Sequence, residues 1–284
     1  MQNKRKSLWG QVFVRLKKNR MALVGLAILF ALLLTALFAN VIAPFPYDEQ
    51  DLFATLQGPS LQHWFGTDEF GRDIFSRIIF GSRISLQVGF VAVGFSVAVG
   101  GFLGAVAGYY GGKIDNVIMR VMDVLLSIPQ LLLAISVAAS LGPGLLNLML
   151  AVGIAAIPQY ARLVRASVLS IRDQEFVEAA ISVGSGDLRI IFKHILPNCL
   201  APIIVQATLG VAFAILIAAG LSFIGLGLEP PTPEWGAMLS GGREFIRDYP
   251  YMTLFPGLAI MITILGLNFL GDGLRDALDP KLRN

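Results

Sequence analysis

Long apolar stretches alternate along this chain with short clusters of charge, and the alternation predicts a bundle of membrane-crossing helices. About 20 apolar residues suffice to cross a bilayer. Chargeless runs extend from Met21 to Tyr47, from Ile84 to Gly112 and from Val124 to Ala161. The third is too long for one helix, and Gly142-Pro143-Gly144 divides it into two. A fifth crossing is expected over 201–226, within the stretch His194 to Leu228 that lacks Lys, Arg, Asp and Glu, and a sixth over Met252 to Leu270. The fold class is therefore an all-α membrane protein with six transmembrane helices and both termini on one side. Gly89, Gly94, Gly100, Gly101, Gly104 and Gly108 in the second crossing permit close helix approach. Pro129 and Pro158 should kink or interrupt the third and fourth crossings near their cytoplasmic ends.

The polar segments complete the topology. Over residues 4–20, Leu8, Trp9, Val12, Phe13 and Leu16 recur at helical spacing among Lys4, Arg5, Lys6, Arg15, Lys17, Lys18 and Arg20, the pattern of an amphipathic helix on a membrane surface. No short apolar core with a small-residue cleavage site follows, so the first crossing is expected to stay uncleaved. Residues 44–81 carry Pro44, Pro46 and the acidic residues Asp48, Glu49 and Asp51, then a predicted interfacial helix from Thr67 with Ile74, Phe75, Ile78 and Ile79 on one side. A structural elbow accounts for Asp68, Arg72 and Asp73, with a ligand grip as the alternative. Lys113, Asp115, Arg120 and Asp123 mark an expected short turn, and Asp272 to Asn284 an expected polar tail. Segments 1–20, 113–123, 162–193 and 275–283 hold 17 of the 22 Lys and Arg residues, which places them, and both termini, in the cytoplasm.

The segment 172–197 stands out because its charges cannot cross lipid cheaply. Its pattern predicts two short helices broken at Gly184-Ser185-Gly186, the first with Phe176, Val177, Ala180 and Ile181 on one face, the second with Leu188, Ile191, Phe192 and Ile195. Asp173 and Ser185 are the expected caps, and Pro197 suits the first turn of the following helix. Small Ala179 and Ala180 beside Glu178 fit a hairpin seated in a groove of another protein, its carboxylate meeting a cation. The same pattern also fits amphipathic helices resting on the membrane.

Composition narrows the class. With 55% hydrophobic and 14% charged residues the chain is no soluble domain. The lone Cys199 excludes an internal disulfide or thiolate cluster, and the basic residues flank apolar runs, a pattern of membrane orientation rather than of nucleic-acid binding. His63 and His194 fall on opposite sides of the membrane, so no two-histidine metal site is expected within one subunit, and no catalytic constellation lies in the spans. Gln130, Gln159 and Gln206, with Asn147 and Asn268, are candidates for lining a polar path, yet amides within spans more often tie helices together, and that is the reading expected here.

Glu178-Ala179-Ala180, Gly184 and then Ile195-Leu196-Pro197 resemble the "EAA" coupling loop of permease subunits of bacterial ATP-binding-cassette importers, although the family's usual Ile two residues before Leu is here His194. Phe65-Gly66-Thr67-Asp68 with Gly71-Arg72-Asp73, Pro230-Pro231-Thr232-Pro233-Glu234-Trp235-Gly236, and Gly271-Asp272-Gly273-Leu274-Arg275-Asp276-Ala277-Leu278-Asp279-Pro280 extend the resemblance over nearly the whole chain, closest to the second permease of dipeptide and oligopeptide importers. The resemblance implies a type I ABC importer permease fold in the bacterial inner membrane. It divides into an N-terminal helix, first span and external elbow (1–83) and a permease core with the coupling loop (84–284). It implies as partners a sister permease, two ATPase subunits and an external binding protein. Glu178, Ala179, Ala180, Gly184, Ile195, Leu196 and Pro197 would meet the ATPase. ATP and Mg would bind in the partners, no cofactor in this chain, which lacks a Gly-Lys-Ser/Thr phosphate loop and is not expected to be an enzyme. Relatives with such signatures carry peptides, glutathione or nickel. The rival class is an ion-coupled secondary transporter without an ATPase, which would need intramembrane charges that the spans almost lack.

Overall fold

A computed structural model describes residues 8–278; Lys4, Arg5, Lys6 and the tail residues from Asp279 lie outside it. The chain runs through α1 (Leu8–Leu16), α2 (Arg20–Leu37), α3 (Ala39–Ile42), α4 (Ile74–Tyr110), α5 (Gly112–Leu126), α6 (Gln130–Leu141) and α7 (Leu145–Leu169). There follow α8 (Glu175–Ser182), α9 (Asp187–Arg189), a π-helical turn (Ile190–Ile195), α10 (Leu196–Phe223), α11 (Trp235–Gly242) and α12 (Tyr251–Leu278). Among the described residues five stretches are long and apolar enough to cross a bilayer: α2, α4, α7, the run Asp187–Phe223 and α12. The helices α5 and α6 meet at 90°, and the bundle has a sixth crossing where this bent pair counts as one broken span. Pro129 stands at that break in an extended conformation, has no N–H to continue a helix and disfavours helical geometry at Ile128.

Three boundaries differ from expectation for local reasons. The elbow helix starts at Ile74, not Thr67, and continues without interruption through the second crossing, because Asp73 caps it, accepting the Ser76 N–H at 2.7 Å. Residues 67–73 form instead a turn in which Asp68 accepts the Phe70 and Arg72 N–H groups. The charges expected to mark a turn, Lys113 to Asp123, lie on the helix α5. The polar segment from Asp272 extends α12 to Leu278, tied to the N-cap of α2 by Asn19 donating to Asp276 at 3.3 Å.

At the outer face the elbow reading fits the contacts. The Arg72 guanidinium lies 2.6 Å from Asp68, and His63 lies 2.9 Å from Asp73, all four residues being buried. Arg77 donates to the carbonyls of Tyr47 and Pro231. Arg83 satisfies the last carbonyls of α2, bonding Ala36 O and, at 3.1 Å, Leu37 O, together with Asn40 Oδ1, so the first crossing is fastened to α4 at its outer end.

The centre of the bundle is the pairing of α4 with α7. Gly100, Gly104 and Gly108 recur every four residues and so form one ridge of α4. A Cβ on Gly100 would lie 2.5 Å from Ile157 O, one on Gly104 would overlap Ala161 O, and one on Gly108 would lie 2.8 Å from the Val168 Cβ. The helices therefore touch backbone to backbone, the approach that replaces hydrophobic driving force inside lipid. Ser96 adds a polar tie by donating to Gly153 O at 2.7 Å. Around this pair α10 closes the core with Val211, Ile215, Ala218 and Leu221, while Phe30, Leu33, Phe102 and Leu216 point outward from the bundle.

Overpacking of such a contact costs about 1–3 kcal/mol. Gly104→Val should lower the thermal unfolding midpoint of the purified protein, whereas Gly94→Val, on a face with nothing within 4 Å of a new Cβ, should leave it unchanged.

Candidate functional site

The cytoplasmic hairpin is built on the end of the α4–α7 pair. Helix α8 is closed by hydrogen bonds from Gly184 N to Ile181 O (2.9 Å) and from Ser185 N to Ala180 O (3.1 Å), with Gly184 at φ +76°. This is the Schellman arrangement, which needs a left-handed residue at that place. Space around Gly184 is open, so a side chain there acts through backbone strain, not through crowding. The expected caps are not used: Gln174 precedes α8 without a side-chain bond to its first turn, donating instead to Ser170 O at 3.2 Å, Gly186 precedes α9, and Asp173 pairs with Arg172 at 3.3 Å.

The second helix of the hairpin is not separate from the fifth crossing. It runs from α9 through the π turn, where Leu196 N donates to Ile191 O, directly into α10, whose first turn contains Pro197. Proline has no N–H for the ordinary ladder, and the wider turn carries the helix past it.

Only part of each predicted apolar face is buried. Val177, Ala180, Ile190, Ile191 and Ile195 pack with Ala105 of α4, Val164 and Val168 of α7 and Cys199 of α10. Phe176, Ile181, Leu188 and Phe192 remain exposed with Glu178 and Ala179, and Val183 is 80% exposed at the tip. The hairpin therefore grips the bundle with one apolar face and presents a second, with its acidic side chain, to the cytoplasm. Of the other motif residues, Leu196 is half-buried and Pro197 exposed.

Polar bonds that sequence reading missed pin the hairpin down. Arg172 donates to Gly108 O at 3.0 Å, at the last glycine of the ridge. The Tyr109 and Tyr110 hydroxyls donate to the two carboxylate oxygens of Asp187 at 2.9 and 3.1 Å. These partners lie about 65 to 80 positions apart, and no local pattern links them.

Above the hairpin Gln130, Gln159 and Gln206 converge on one cavity of about 530 Å³, with Tyr160 and, from the α5–α6 break, Leu126 and Ile128. No Asp, Glu, Lys or Arg is among the residues lining it. Asn147 has a different role, donating to the carbonyls of Leu141, Gly142 and Pro143 and so tying the turn between α6 and α7. A second cavity of about 670 Å³ shares Gln206 and Leu209 with the first and reaches Ser167, Asn198 and Arg275 at the cytoplasmic ends of α7, α10 and α12. At the opposite face Glu234 caps α11, accepting the N–H groups of Gly236 and Ala237 at 2.9 and 2.8 Å. Burial pushes its carboxyl above the usual range, against the pull of those two donors. The neighbouring Trp235 indole donates to Ile78 O at 3.1 Å and locks α11 onto α4.

Residues 100–284 match the family described as "Binding-protein-dependent transport system inner membrane component". The chain belongs to this family of inner-membrane permeases. Residues 7–59 match the "N-terminal TM domain of oligopeptide transport permease C". Among its relatives, the dipeptide transport system permease protein DppC of Alkalihalophilus pseudofirmus is 54% identical over 98% of this chain and 91% of that protein. The glutathione transport system permease protein GsiD of Escherichia coli O6:K15:H31 is 47% identical over 97% of this chain and 91% of its own length. A solved chain of the MetNI methionine ABC transporter, described as inward facing, covers 72% of this permease and 96% of itself with a TM-score of 0.57 at 19% identity, a likeness of fold. The permease is thus a multi-pass, all-helical protein of the bacterial inner membrane with the fold of a type I ABC importer subunit, a class that works with ATPase subunits, a partner permease and a binding protein.

A residue other than glycine in the left-handed region costs about 1–2 kcal/mol. Gly184→Ala should therefore speed amide exchange at Gly184 and Ser185 relative to wild type, while Gly186→Ala, at φ −70°, should leave it unchanged.

Proposed function

We propose that this permease is one of a heteromeric pair in an ATP-driven importer of di- or oligopeptides, and that its hairpin converts closure of two ATPase subunits into alternating access of the glutamine-lined cavity. The observation that carries this reading is the two-faced hairpin: one apolar face is set into α4, α7 and α10, and the other, bearing Glu178, Ala179, Phe176, Ile181 and Phe192, is open to a partner. An ATPase seated there would move the hairpin and the central helix pair together, since Arg172 and Asp187 fasten one to the other. ATP and Mg are held by the ATPase subunits, and this chain binds no cofactor of its own.

Peptide as cargo is supported by the cavity as well as by the names of the relatives. Amide side chains of Gln130, Gln159 and Gln206 can both donate to and accept from a peptide backbone, and glutathione presents the same kind of groups. Nickel would be better served by imidazole, thiolate or carboxylate, none of which lines this cavity. An ion-coupled mechanism would need a titratable or ion-binding group in the path, and the lining offers no carboxylate, histidine or lysine.

The test is uptake into vesicles carrying the assembled importer with its binding protein. Glu178→Lys reverses the charge at the partner face and Gly184→Leu strains the α8 terminus; both should reduce peptide uptake at least about tenfold while membrane insertion is unaffected. Wild-type uptake in both variants contradicts the coupling role. Uptake that survives ATP depletion but collapses with the proton gradient supports the secondary-transporter reading instead.

A further inference from the structure

The helix α5 is unusual in what holds it. Its buried residues are Asp115 and Met122, while Ile114, Val117, Val121 and Val124 are exposed along its length. Ile118, Met119 and Leu125 are half-buried beside Met122, so its apolar packing is partial. Two ion pairs to α7 add directional ties: Arg165 grips Asp115 in a bidentate pair through Nε and Nη2, each at 2.5 Å, and Arg162 meets Asp123 at 2.7 Å. The first is partly buried, with side-chain exposures of 32% and 13%, and the second is open to solvent at 58% and 52%.

Both ends of this arrangement matter. On one side α7 runs on to Leu169 and, after a short connection, into the hairpin. On the other, α5 ends in Leu125 and Leu126, which with Ile128 and Pro129 of the 90° break form part of the cavity wall. A helix attached by directional, charge-assisted bonds follows the helix that carries its partners, and it can pivot about them in a way a packed apolar face does not allow.

We infer that the α5–α6 break is the movable wall of the cavity and that Asp115 and Asp123, held by Arg165 and Arg162, are the positioning residues that make it follow α7. This rests on the coupling role proposed for the hairpin. Motion imposed on α8 passes to α7, through the two pairs to α5, and from there to Leu126 and Ile128.

The experiment uses the whole importer, with Cys199→Ser and Ile128→Cys introduced so that a thiol reagent reports access to the cavity wall. With the ion pairs intact, labelling at position 128 should change at least about fivefold between nucleotide-free and ATP-bound states. Adding Asp123→Asn and Asp115→Asn should remove most of that change and lower peptide imported per ATP hydrolysed, while stimulation of the ATPase by loaded binding protein persists. Exchanging the charges, Asp115→Arg with Arg165→Asp, should restore the change. If the Asp115 variants do not assemble, Asp123→Asn alone, at an exposed pair, should still reduce the labelling change. A nucleotide effect of equal size with and without the carboxylates overturns the clamp and leaves the coupling reading standing. No nucleotide effect with the pairs intact overturns both.

Discussion

The contact on which the rest of the molecule depends is the backbone approach of α4 to α7 along Gly100, Gly104 and Gly108. Within lipid there is no hydrophobic gain from pressing two apolar helices together, so closeness itself, with the dispersion it allows, has to hold them. That closeness fixes where the cytoplasmic ends of both helices stand. Gly108 offers its carbonyl to Arg172, and the next two residues, Tyr109 and Tyr110, hold Asp187. The hairpin is thereby seated on the end of the ridge by polar bonds and by the apolar residues Val177, Ala180 and Ile191.

Charge is distributed according to what each region has to do. Carboxylates and guanidinium groups are paired at the two faces, in the Asp68, Arg72 and Arg77 cluster outside and the Asp115–Arg165 and Asp123–Arg162 pairs inside. The cavity between them is lined by amides, a tyrosine, a serine and apolar side chains. A wall of that kind presents hydrogen-bonding groups to an organic solute without a fixed charge that would trap one side chain and reject another. It presents no carboxylate, histidine or lysine that could carry a coupling proton, which fits work delivered from outside the membrane through the hairpin.

Much of this was legible in the sequence, and the exceptions have physical causes. Apolar runs located most of the crossings because lipid imposes their length, and Lys/Arg asymmetry is what predicts their orientation. Gln130, Gln159 and Gln206 were legible as polar residues in apolar runs, but whether they line a path or tie helices depended on which faces meet, and all three converge on one cavity. The faces of the hairpin were only half legible: Phe176 and Val177 look alike in periodicity, yet just Val177 is buried, since the choice depends on Val164 and Val168 far away in the chain. Asp173 and Ser185 have the chemistry of caps but not the positions, because the N-caps of α8 and α9 are Gln174 and Gly186, one residue later in each case. The ties from Arg172 and Asp187, and the clamp on α5, join residues with no sequence pattern between them.

The central claim is that the hairpin and the α4–α7 pair move as one body while the cavity changes shape. Paired spin labels in the assembled importer, in a Cys199→Ser background, test it directly. One pair would sit at Ser182 on α8 and Phe102 on α4, the other at Ile128 and Phe213 on opposite walls of the cavity. On ATP binding the account predicts an unchanged distance for the first pair and a shifted one for the second. A first pair that moves while the second stays fixed would contradict it.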